Sequence, residues 1–171
     1  RNVAVVKCSG TCDVTQPKEE YRGIRSCAAA KLLFGGPGSC TYGCIGYGDC
    51  AAACPQKAIS LERGIAFVDA ESCVGCGLCA KQCPQGVIAV VPETAKSVVA
   101  CSNRDKGAAT RKVCSVGCIG CMKCAKNCEA GAITVSGNLA AIDYEKCTGC
   151  GKCAEVCTTG CIRLVDLKVH A

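Results

Sequence analysis

The sequence predicts an α+β protein made of two small tandem modules, with short helices and β-hairpins around metal-binding cysteines, preceded by a cysteine-bearing amino-terminal extension. The first observation behind this prediction is a repeat. Nine cysteines recur at positions displaced by 74 residues, as Cys40 and Cys114 do (114 − 40 = 74), and no gap is needed. The chain is therefore a tandem duplication. The second observation is that most of these cysteines have the spacing of iron–sulfur ligands.

The repeated motif is Cys-x2-Cys-x2-Cys-x3-Cys, found at residues 73–83 and 147–157. It is the run by which bacterial ferredoxins hold [4Fe–4S] clusters. Structural zinc usually takes cysteines in two pairs, and disulfides have no reason to follow this spacing. The motif therefore favours clusters over zinc or disulfides, and a reducing compartment over a secreted one.

Composition limits both the core and the partners. The 171-residue chain has 22 cysteines, no Trp, 2 Phe and 4 Tyr, so neither module can build a large apolar core. Metal–thiolate bonds can supply the missing folding free energy, and we expect the apoprotein to be largely unfolded. The formal charge of +6 counts every cysteine as neutral. Because a [4Fe–4S] cluster with four thiolates carries about −2, four or five clusters leave the protein mildly acidic. A nucleic-acid partner is therefore disfavoured.

The extension and the segment between the modules each contain a predicted strand. Val3–Lys7 is apolar enough to be a buried strand that leads to Cys8, and Ser97–Cys101 has the same character. Residues 25–34 are predicted as a short helix that ends at a Gly-rich turn. Residues 102–112 are predicted as a polar connector. No apolar run reaches the roughly 18 residues of a membrane span.

A hairpin is predicted at the centre of each module. Apolar and polar residues alternate around Arg63-Gly64 in Ala58–Asp69, and around Gly137-Asn138 in Ala132–Asp143. The predicted divisions of the chain are residues 1–39 for the amino-terminal extension, 40–92 for ferredoxin-like module 1, 93–113 for the connector and 114–171 for ferredoxin-like module 2.

Three complete ligand sets follow from the cysteine runs. In two-cluster ferredoxins the fourth cysteine of each run ligates the other cluster. Applied here, this rule predicts the sets Cys54, Cys73, Cys76 and Cys79; Cys118, Cys121, Cys124 and Cys157; and Cys128, Cys147, Cys150 and Cys153.

The first run is irregular, because Tyr47 stands where its copy has Cys121. One hypothesis is that Cys40 substitutes, since it lies close by in sequence. The fourth ligand set is then Cys40, Cys44, Cys50 and Cys83. The other hypothesis is that only three cysteines remain and hold a [3Fe–4S] or water-ligated cluster. The first is favoured, and four [4Fe–4S] clusters are predicted.

Six cysteines are left over by this assignment: Cys8, Cys12, Cys27, Cys101, Cys114 and Cys161. One interpretation is that they are small buried apolar residues. The competing hypothesis is a fifth cluster, held by Cys8, Cys12 and Cys27 with one of Cys40, Cys101 or Cys114. Cys161 has no duplicate partner and is predicted to pack in the core.

The remaining polar residues do not indicate an organic substrate site. His170, one residue from the end, is predicted to be solvated, and Asp69 and Asp143 are predicted to cap loops. No nucleophile–base pair, phosphate-binding loop, or NAD or flavin site is recognisable.

With these motifs in place, the chain resembles a known family, the B subunits of the Rnf complex, a membrane-bound ion-translocating ferredoxin:NAD+ oxidoreductase. The resemblance rests on six stretches of the sequence. They are Val3–Gly10 (VAVVKCSG), Tyr21–Cys27 (YRGIRSC), Gly43–Cys54 (GCIGYGDCAAAC), Asp105–Gly107, Val116–Cys121 (VGCIGC) and Asn138–Cys153 (NLAAIDYEKCTGCGKC). In that family a membrane helix and another iron–sulfur segment precede this region. The chain is therefore expected to be the carboxy-terminal part of such a subunit.

The resemblance implies an electron-transfer role at the cytoplasmic face of the cell membrane, with an anchor outside this chain. The implied partners are soluble ferredoxin and the other subunits of the complex. Lys81, Lys123, Lys126 and Lys152 lie in the ligand loops and could steer an acidic ferredoxin, although ordinary solvated lysines are the simpler interpretation. Two alternatives stay open: a soluble polyferredoxin or relay subunit of a soluble flavin-based oxidoreductase, and a binding module that uses metal only to stabilise its fold.

Overall fold

Short helices and strands alternate along the chain in a computed structural model that describes residues 1–168. In chain order they are β1 (Asn2–Val6), α1 (Cys27–Lys31), α2 (Asp49–Ala52), β2 (Ile59–Glu62), β3 (Ile65–Val68), α3 (Leu78–Gln82), β4 (Ile88–Pro92), β5 (Ser97–Val99), α4 (Gly107–Val113), α5 (Lys123–Lys126), β6 (Ile133–Ser136), β7 (Leu139–Ile142), α6 (Lys152–Glu155) and β8 (Ile162–Leu164). His170 lies outside the described residues. The α+β class predicted from the sequence is confirmed.

Both predicted hairpins are present. β2 pairs antiparallel with β3, and β6 pairs antiparallel with β7. Both turn residues have positive φ in each hairpin, 49° and 87° at Arg63 and Gly64, and 55° and 62° at Gly137 and Asn138. Two-residue turns of this kind match the right-handed twist of the strands they join. Glycine and asparagine are the residues that adopt positive φ most readily, which is why the sequence alone predicted the turns.

The other two sheets join residues that are far apart in sequence. β1, from the amino-terminal extension, pairs antiparallel with β4 at the end of module 1. β5, from the predicted connector, pairs antiparallel with β8 at the end of module 2. Each of these sheets packs against its module's hairpin, β1 on β3 and β5 on β7. Cys8 and Cys101 each come two residues after such a strand ends.

The helices are short because they lie inside or beside the cysteine runs. Four of them, α2, α3, α5 and α6, carry a cysteine as their second residue, namely Cys50, Cys79, Cys124 and Cys153. α1 is the core of the helix predicted at residues 25–34. The predicted polar connector also contains a helix, α4, which the sequence pattern did not indicate.

Two apolar cores lie beneath these elements. The first is built mainly from β1, the β2–β3 hairpin and β4, with Val3, Ile65 and Val87 at most 1% exposed. The second gathers Ile133, Leu139 and Ile162 around Cys161. Cysteines belong to both cores, as expected of a protein that folds around metal–thiolate sites. Within residues 1–168, every helix is too short or too polar to cross a lipid bilayer.

Candidate metal centres

Three cavities each bring together one of the ligand sets predicted from the cysteine runs. One cavity is lined by Cys54, Cys73, Cys76 and Cys79. Another is lined by Cys128, Cys147, Cys150 and Cys153. A third is lined by Cys118, Cys121, Cys124, Cys157 and Cys161. In each set the fourth cysteine comes from the other run of its module, so the three arrangements match the exchange predicted from two-cluster ferredoxins.

The loop of the Cys73 run is held against β1. An added Cβ on Gly75, whose φ is +68°, would lie 2.3 Å from the carbonyl oxygen of Asn2. The next contact along β1 reaches a ligand directly, because the Ala4 N–H donates to Cys73 Sγ at 3.4 Å. In module 2 the Ala132 N–H donates to Cys128 Sγ at 3.3 Å. Backbone donors aimed at sulfur stabilise a thiolate and raise the potential of a cluster that it holds.

Burial sets the protonation of these thiols without metal. Desolvation, reinforced by the neighbouring thiols of Cys118, Cys121 and Cys157, raises the pKa of Cys124 to about 11. Desolvation likewise raises the pKa of Cys79 and Cys153. Cys79, Cys124 and Cys153 are therefore neutral at pH 7 without metal, and binding of iron releases their protons.

Cys161 is buried beside the ligands of the third cavity. It is 2% exposed, and its Sγ lies 3.7 Å from Cys157 Sγ. A hydrogen bond from the Cys161 thiol lowers the pKa of Cys118. The prediction that Cys161 packs in the core agrees with this burial, and the residue also contacts two candidate ligands.

The irregular first run is arranged differently from its copy. Cys40, predicted to join Cys44, Cys50 and Cys83, lines a cavity with Cys44, Cys8, Cys101 and Cys114, whereas Cys50 and Cys83 do not line it. The neighbour of Cys50 is instead Cys27 in α1. Desolvation raises the pKa of Cys50 to about 11, and the nearby thiols of Cys83 and Cys27 add to the shift.

Asp49 docks α1 beside this run. Its two carboxylate oxygens accept hydrogen bonds from the N–H groups of Cys27 at 2.9 Å and Ala28 at 3.0 Å, and from the Ser26 hydroxyl at 2.9 Å. Desolvation opposes ionisation of Asp49, but these donors outweigh it and lower the pKa of the carboxyl. At the other end of α1 the Lys31 ammonium donates to the carbonyl of Pro84, next to Cys83. α1 thus spans from Cys50 to Cys83.

Tyr47, which replaces a ligand of the repeat, packs against the segment that leads into α1. Its ring centroid lies 5.6 Å from that of Tyr21, and the Arg25 guanidinium carbon lies 5.3 Å from its centre. Stacking and cation–π contacts of this kind are each worth roughly 0.5–1.5 kcal/mol. Tyr47 therefore helps to place the segment that carries Cys27.

Cys12, one of the tentative fifth-cluster ligands, lies beside the first hairpin. It is exposed, and its N–H donates to the Arg63 carbonyl at the turn of the first hairpin. It lines a wide cleft together with Cys40, Cys44, Tyr21 and Tyr47. None of the cavities described above is lined by all three of Cys8, Cys12 and Cys27: Cys8 lines the cavity of Cys40 and Cys101, Cys12 lines this cleft, and Cys27 lies in α1.

The acidic and basic residues near the runs have structural contacts. Asp69 and Asp143 accept hydrogen bonds from the N–H groups of Glu71 at 3.1 Å and Glu145 at 3.0 Å, so the predicted loop caps are confirmed. Lys152 forms an ion pair with Glu129. The other three candidate steering lysines, Lys81, Lys123 and Lys126, are exposed.

Comparison with known proteins gives these centres a family. The 4Fe-4S dicluster domain matches residues 39–87 and 117–161. The chain is 51% identical over 142 residues to the B subunit of the proton-translocating ferredoxin:NAD(+) oxidoreductase complex of Clostridium ljungdahlii, covering 82% of this chain and 50% of that protein. It is 44% identical over 147 residues to the B subunit of the Na(+)-translocating ferredoxin:NAD(+) oxidoreductase complex of Acetobacterium woodii, covering 85% and 44%. It is 42% identical over 142 residues to the B subunit of the ion-translocating oxidoreductase complex of Methanosarcina acetivorans, covering 82% and 54%.

These similarities confirm the resemblance and the cluster type predicted from the sequence. The dicluster match spans parts of both predicted modules, and 4Fe–4S clusters are the cofactor of that domain. The chain spans about half the length of the curated relatives, between 44% and 54%.

Proposed function

Because the chain belongs to the 4Fe–4S dicluster domain family, we propose that it is the iron–sulfur electron-transfer part of a B subunit in an Rnf-type, ion-translocating ferredoxin:NAD+ oxidoreductase. In this role it receives electrons from soluble ferredoxin and passes them to other subunits of the complex. Ion movement and NAD chemistry belong to those subunits. The site lies at the cytoplasmic face of the membrane, where soluble ferredoxin is available.

The observation that carries the proposal is the set of three cavities, each lined by four cysteines of a ferredoxin-type run. The surfaces that line them are mostly apolar, and in two of them a backbone N–H group donates to a cysteine sulfur. Such surroundings suit a [4Fe–4S] cluster, which takes up one electron and gives it up again with little rearrangement. The cluster supplies the redox chemistry, and the protein supplies ligands, hydrogen bonds and spacing.

A fourth cluster fits beside α1, with Cys27, Cys44, Cys50 and Cys83 as its ligands. The support is that Cys27 is a neighbour of Cys50, just as Cys121 is a neighbour of Cys124 in the second module. Cys27 thus takes the place that Cys121 has in the copy. The Asp49 contacts and the Lys31 contact hold α1 in place to make this substitution. We thus assign the fourth ligand to Cys27, whereas Cys40 was predicted from sequence proximity.

Positive charge beside one candidate cluster ligand supports ferredoxin as the partner. Lys123 and Lys126 are exposed on α5, close to Cys121, which is itself exposed. A cationic patch beside an exposed cluster ligand would attract an acidic electron carrier and raise the association rate. Lys152 is less available because it is paired with Glu129.

The test uses the chain purified and handled without oxygen. We expect at least about 16 irons per chain and negligible zinc, with absorbance that bleaches on reduction and returns on reoxidation. Zinc in native material, or iron that no low-potential reductant can reduce, would overturn the proposal in favour of a metal-stabilised binding module. The partner is tested by the rate of electron uptake from reduced ferredoxin at low ionic strength. We expect the double variant Lys123→Glu with Lys126→Glu to slow this rate.

A pair of variants tests the fourth ligand set. Cys27→Ser should convert one cubane to a [3Fe–4S] form or lose it, which electron paramagnetic resonance detects. Adding Tyr47→Cys to Cys27→Ser should restore the cubane, because it rebuilds the run of the second module. Cys12→Ser is the matched control and should leave the spectrum unchanged. Loss of a cluster in the control but not in Cys27→Ser would exchange their roles.

A further inference from the structure

We propose that Cys8, Cys40, Cys101 and Cys114 hold a fifth [4Fe–4S] cluster, which lies between the two modules and joins their clusters into one electron path. This inference rests on the proposed function. The four cysteines line a single cavity together with Cys44, which is assigned to the set beside α1. They come from the extension, module 1, the connector and module 2 as predicted from the sequence, and none belongs to the three cysteine sets of the ferredoxin-type runs.

Cys8 and Cys101 occupy equivalent places in the two halves. Cys8 Sγ accepts the N–H of Gly10 at 3.4 Å and of Cys44 at 3.4 Å. Cys101 Sγ accepts the N–H of Asn103 at 3.4 Å and of Cys118 at 3.2 Å. In both cases one donor lies two residues after the cysteine that accepts its hydrogen bond. The other donors, Cys44 and Cys118, are equivalent positions of the repeat (118 − 44 = 74). Two backbone donors at each sulfur stabilise a thiolate.

Cys40 and Cys114 are the second matched pair, and they are direct duplicates of each other. Desolvation raises the pKa of Cys8, Cys101 and Cys114, and the thiol of Cys40 is a neighbour of all three that adds to each shift. Four thiols thus share one buried space. Without a cation among them, ionising even two would be unfavourable, whereas the iron of a cluster compensates all four.

Asn103 supplies a side-chain donor to this group. It is 2% exposed, and its Nδ2 donates to Cys40 Sγ at 3.3 Å. Its Oδ1 accepts the Asp105 N–H at 2.7 Å and the Thr110 hydroxyl at 3.2 Å, which fixes the NH2 toward the sulfur. A buried amide aimed at sulfur gains most when the sulfur is anionic, because hydrogen bonds to charged acceptors are roughly twice as strong.

Ser9 provides another donor that the protein itself does not use. Its hydroxyl oxygen is buried and, among residues 1–168, has no hydrogen-bond partner. Ser9 lines the same cavity as Cys8. A buried hydroxyl without a partner costs about 1–3 kcal/mol, and a cluster sulfide or thiolate in the cavity would accept a hydrogen bond from it.

The position of this centre gives it a function. The N–H of Cys44, a ligand of the cluster beside α1, contacts Cys8, and the N–H of Cys118, a ligand in the second module, contacts Cys101. On each side, the backbone of one residue thus links a ligand of this centre to a ligand set of the neighbouring module. A cluster held here would accept one electron from the cluster of one module and pass it to the cluster of the other, cycling between [4Fe–4S]2+ and [4Fe–4S]1+. The two modules become one chain of five centres.

Iron analysis of the full chain, purified without oxygen, tests the assignment. We expect about 20 irons and 20 acid-labile sulfides per chain, and about 16 in Cys40→Ser with Cys114→Ser. The double variant should retain the reducible signals of the other clusters. Cys12→Ser is the control and should keep about 20. About 16 irons in the parent, with fully reducible clusters, would overturn the fifth cluster and leave the proposed function intact; no reducible iron would overturn both.

A softer variant covers the case in which the double variant fails to fold. Asn103→Leu removes one donor to Cys40 and keeps all four cysteines. We expect it to keep about 20 irons and to lower the midpoint potential of one cluster only, because a hydrogen bond to a ligand sulfur favours the reduced state. Redox titrations identical to the parent, or a shift spread over every cluster, would contradict the assignment.

Discussion

Asp49→Asn should release α1 from the body of module 1 while changing only one side-chain atom. The carboxylate accepts the Cys27 N–H on one oxygen, and the Ala28 N–H and Ser26 hydroxyl on the other. An amide has a single oxygen, so it can satisfy only one side. The other side then faces an NH2 group, which is a donor. The variant therefore loses at least one hydrogen bond and weakens the rest by removing the charge.

The magnitude follows from the kind of bond. A hydrogen bond to a charged group is worth roughly 1.5–3 kcal/mol when buried, and partial exposure of Asp49 reduces it. We therefore expect docking of α1 to weaken by about 1.5–2.5 kcal/mol. Since about 1.4 kcal/mol is a factor of ten, amide exchange in residues 26–34 should accelerate roughly 10- to 60-fold.

Hydrogen exchange of the iron-loaded protein, followed by mass spectrometry, measures this directly. Asp69→Asn is the matched control, because Asp69 also accepts a backbone N–H but caps a loop away from α1. It should accelerate exchange near Glu71 and leave residues 26–34 unchanged. Unchanged exchange at residues 26–34 in Asp49→Asn, or an equal increase throughout the chain, would refute the reasoning.

Three further outcomes are expected. Gly75→Ala should destabilise the protein by more than the roughly 1–2 kcal/mol of left-handed backbone, because its Cβ would meet Asn2 O at 2.3 Å. Gly86→Ala (φ +66°, nothing within 4 Å) should show only the backbone cost, and equal melting temperatures for the two would disprove the close approach. Cys161→Ala should keep all iron but lower the potential of the cluster near Cys118, because it removes a thiol donor to that sulfur. Val87→Ala, at the equivalent position of the first module, is the control. An unchanged potential in Cys161→Ala would mean that Cys161 only fills space in the core. Chelation of iron without oxygen should abolish the circular dichroism of the folded state, and a cooperative thermal transition that survives chelation would contradict a metal-dependent fold.

Sequence patterns predicted those parts of the structure that depend on neighbours in the chain. The hairpins follow from turn residues that tolerate positive φ, and three ligand sets follow from runs of 11 residues such as 73–83. The pairing of β1 with β4 and of β5 with β8 was not predictable in this way. Those strands are too short and too uniformly apolar for the sequence to specify their partners.

The placement of Cys27 and Cys40 shows the same limit at the site. The repeat offset of 74 relates Cys27 to Cys101, but the structure relates Cys101 to Cys8 (101 − 8 = 93) through their matching N–H contacts. The difference between the two offsets is 19 residues (93 − 74 = 19). The segment between Cys8 and Cys40 is longer by this number than the segment between Cys101 and Cys114, and the longer segment places Cys27 beside Cys50. Proximity in sequence suggested Cys40 for the irregular run. Contacts across 22 residues, from Cys27 to Asp49, determine which cysteine is placed there.

The sheets described above also set an order of events while the chain is being synthesised. β1 cannot pair until β4, which ends at Pro92, has left the ribosome, and β5 must wait for β8, which ends at Leu164. The two intervals do not overlap, so the first half can close before the second has emerged. The cavity of Cys8, Cys40, Cys101 and Cys114 needs residues from both. Its assembly is therefore among the last steps of maturation. A chain whose first half has left the ribosome can close β1 on β4 while Cys8 and Cys40 still lack Cys101 and Cys114.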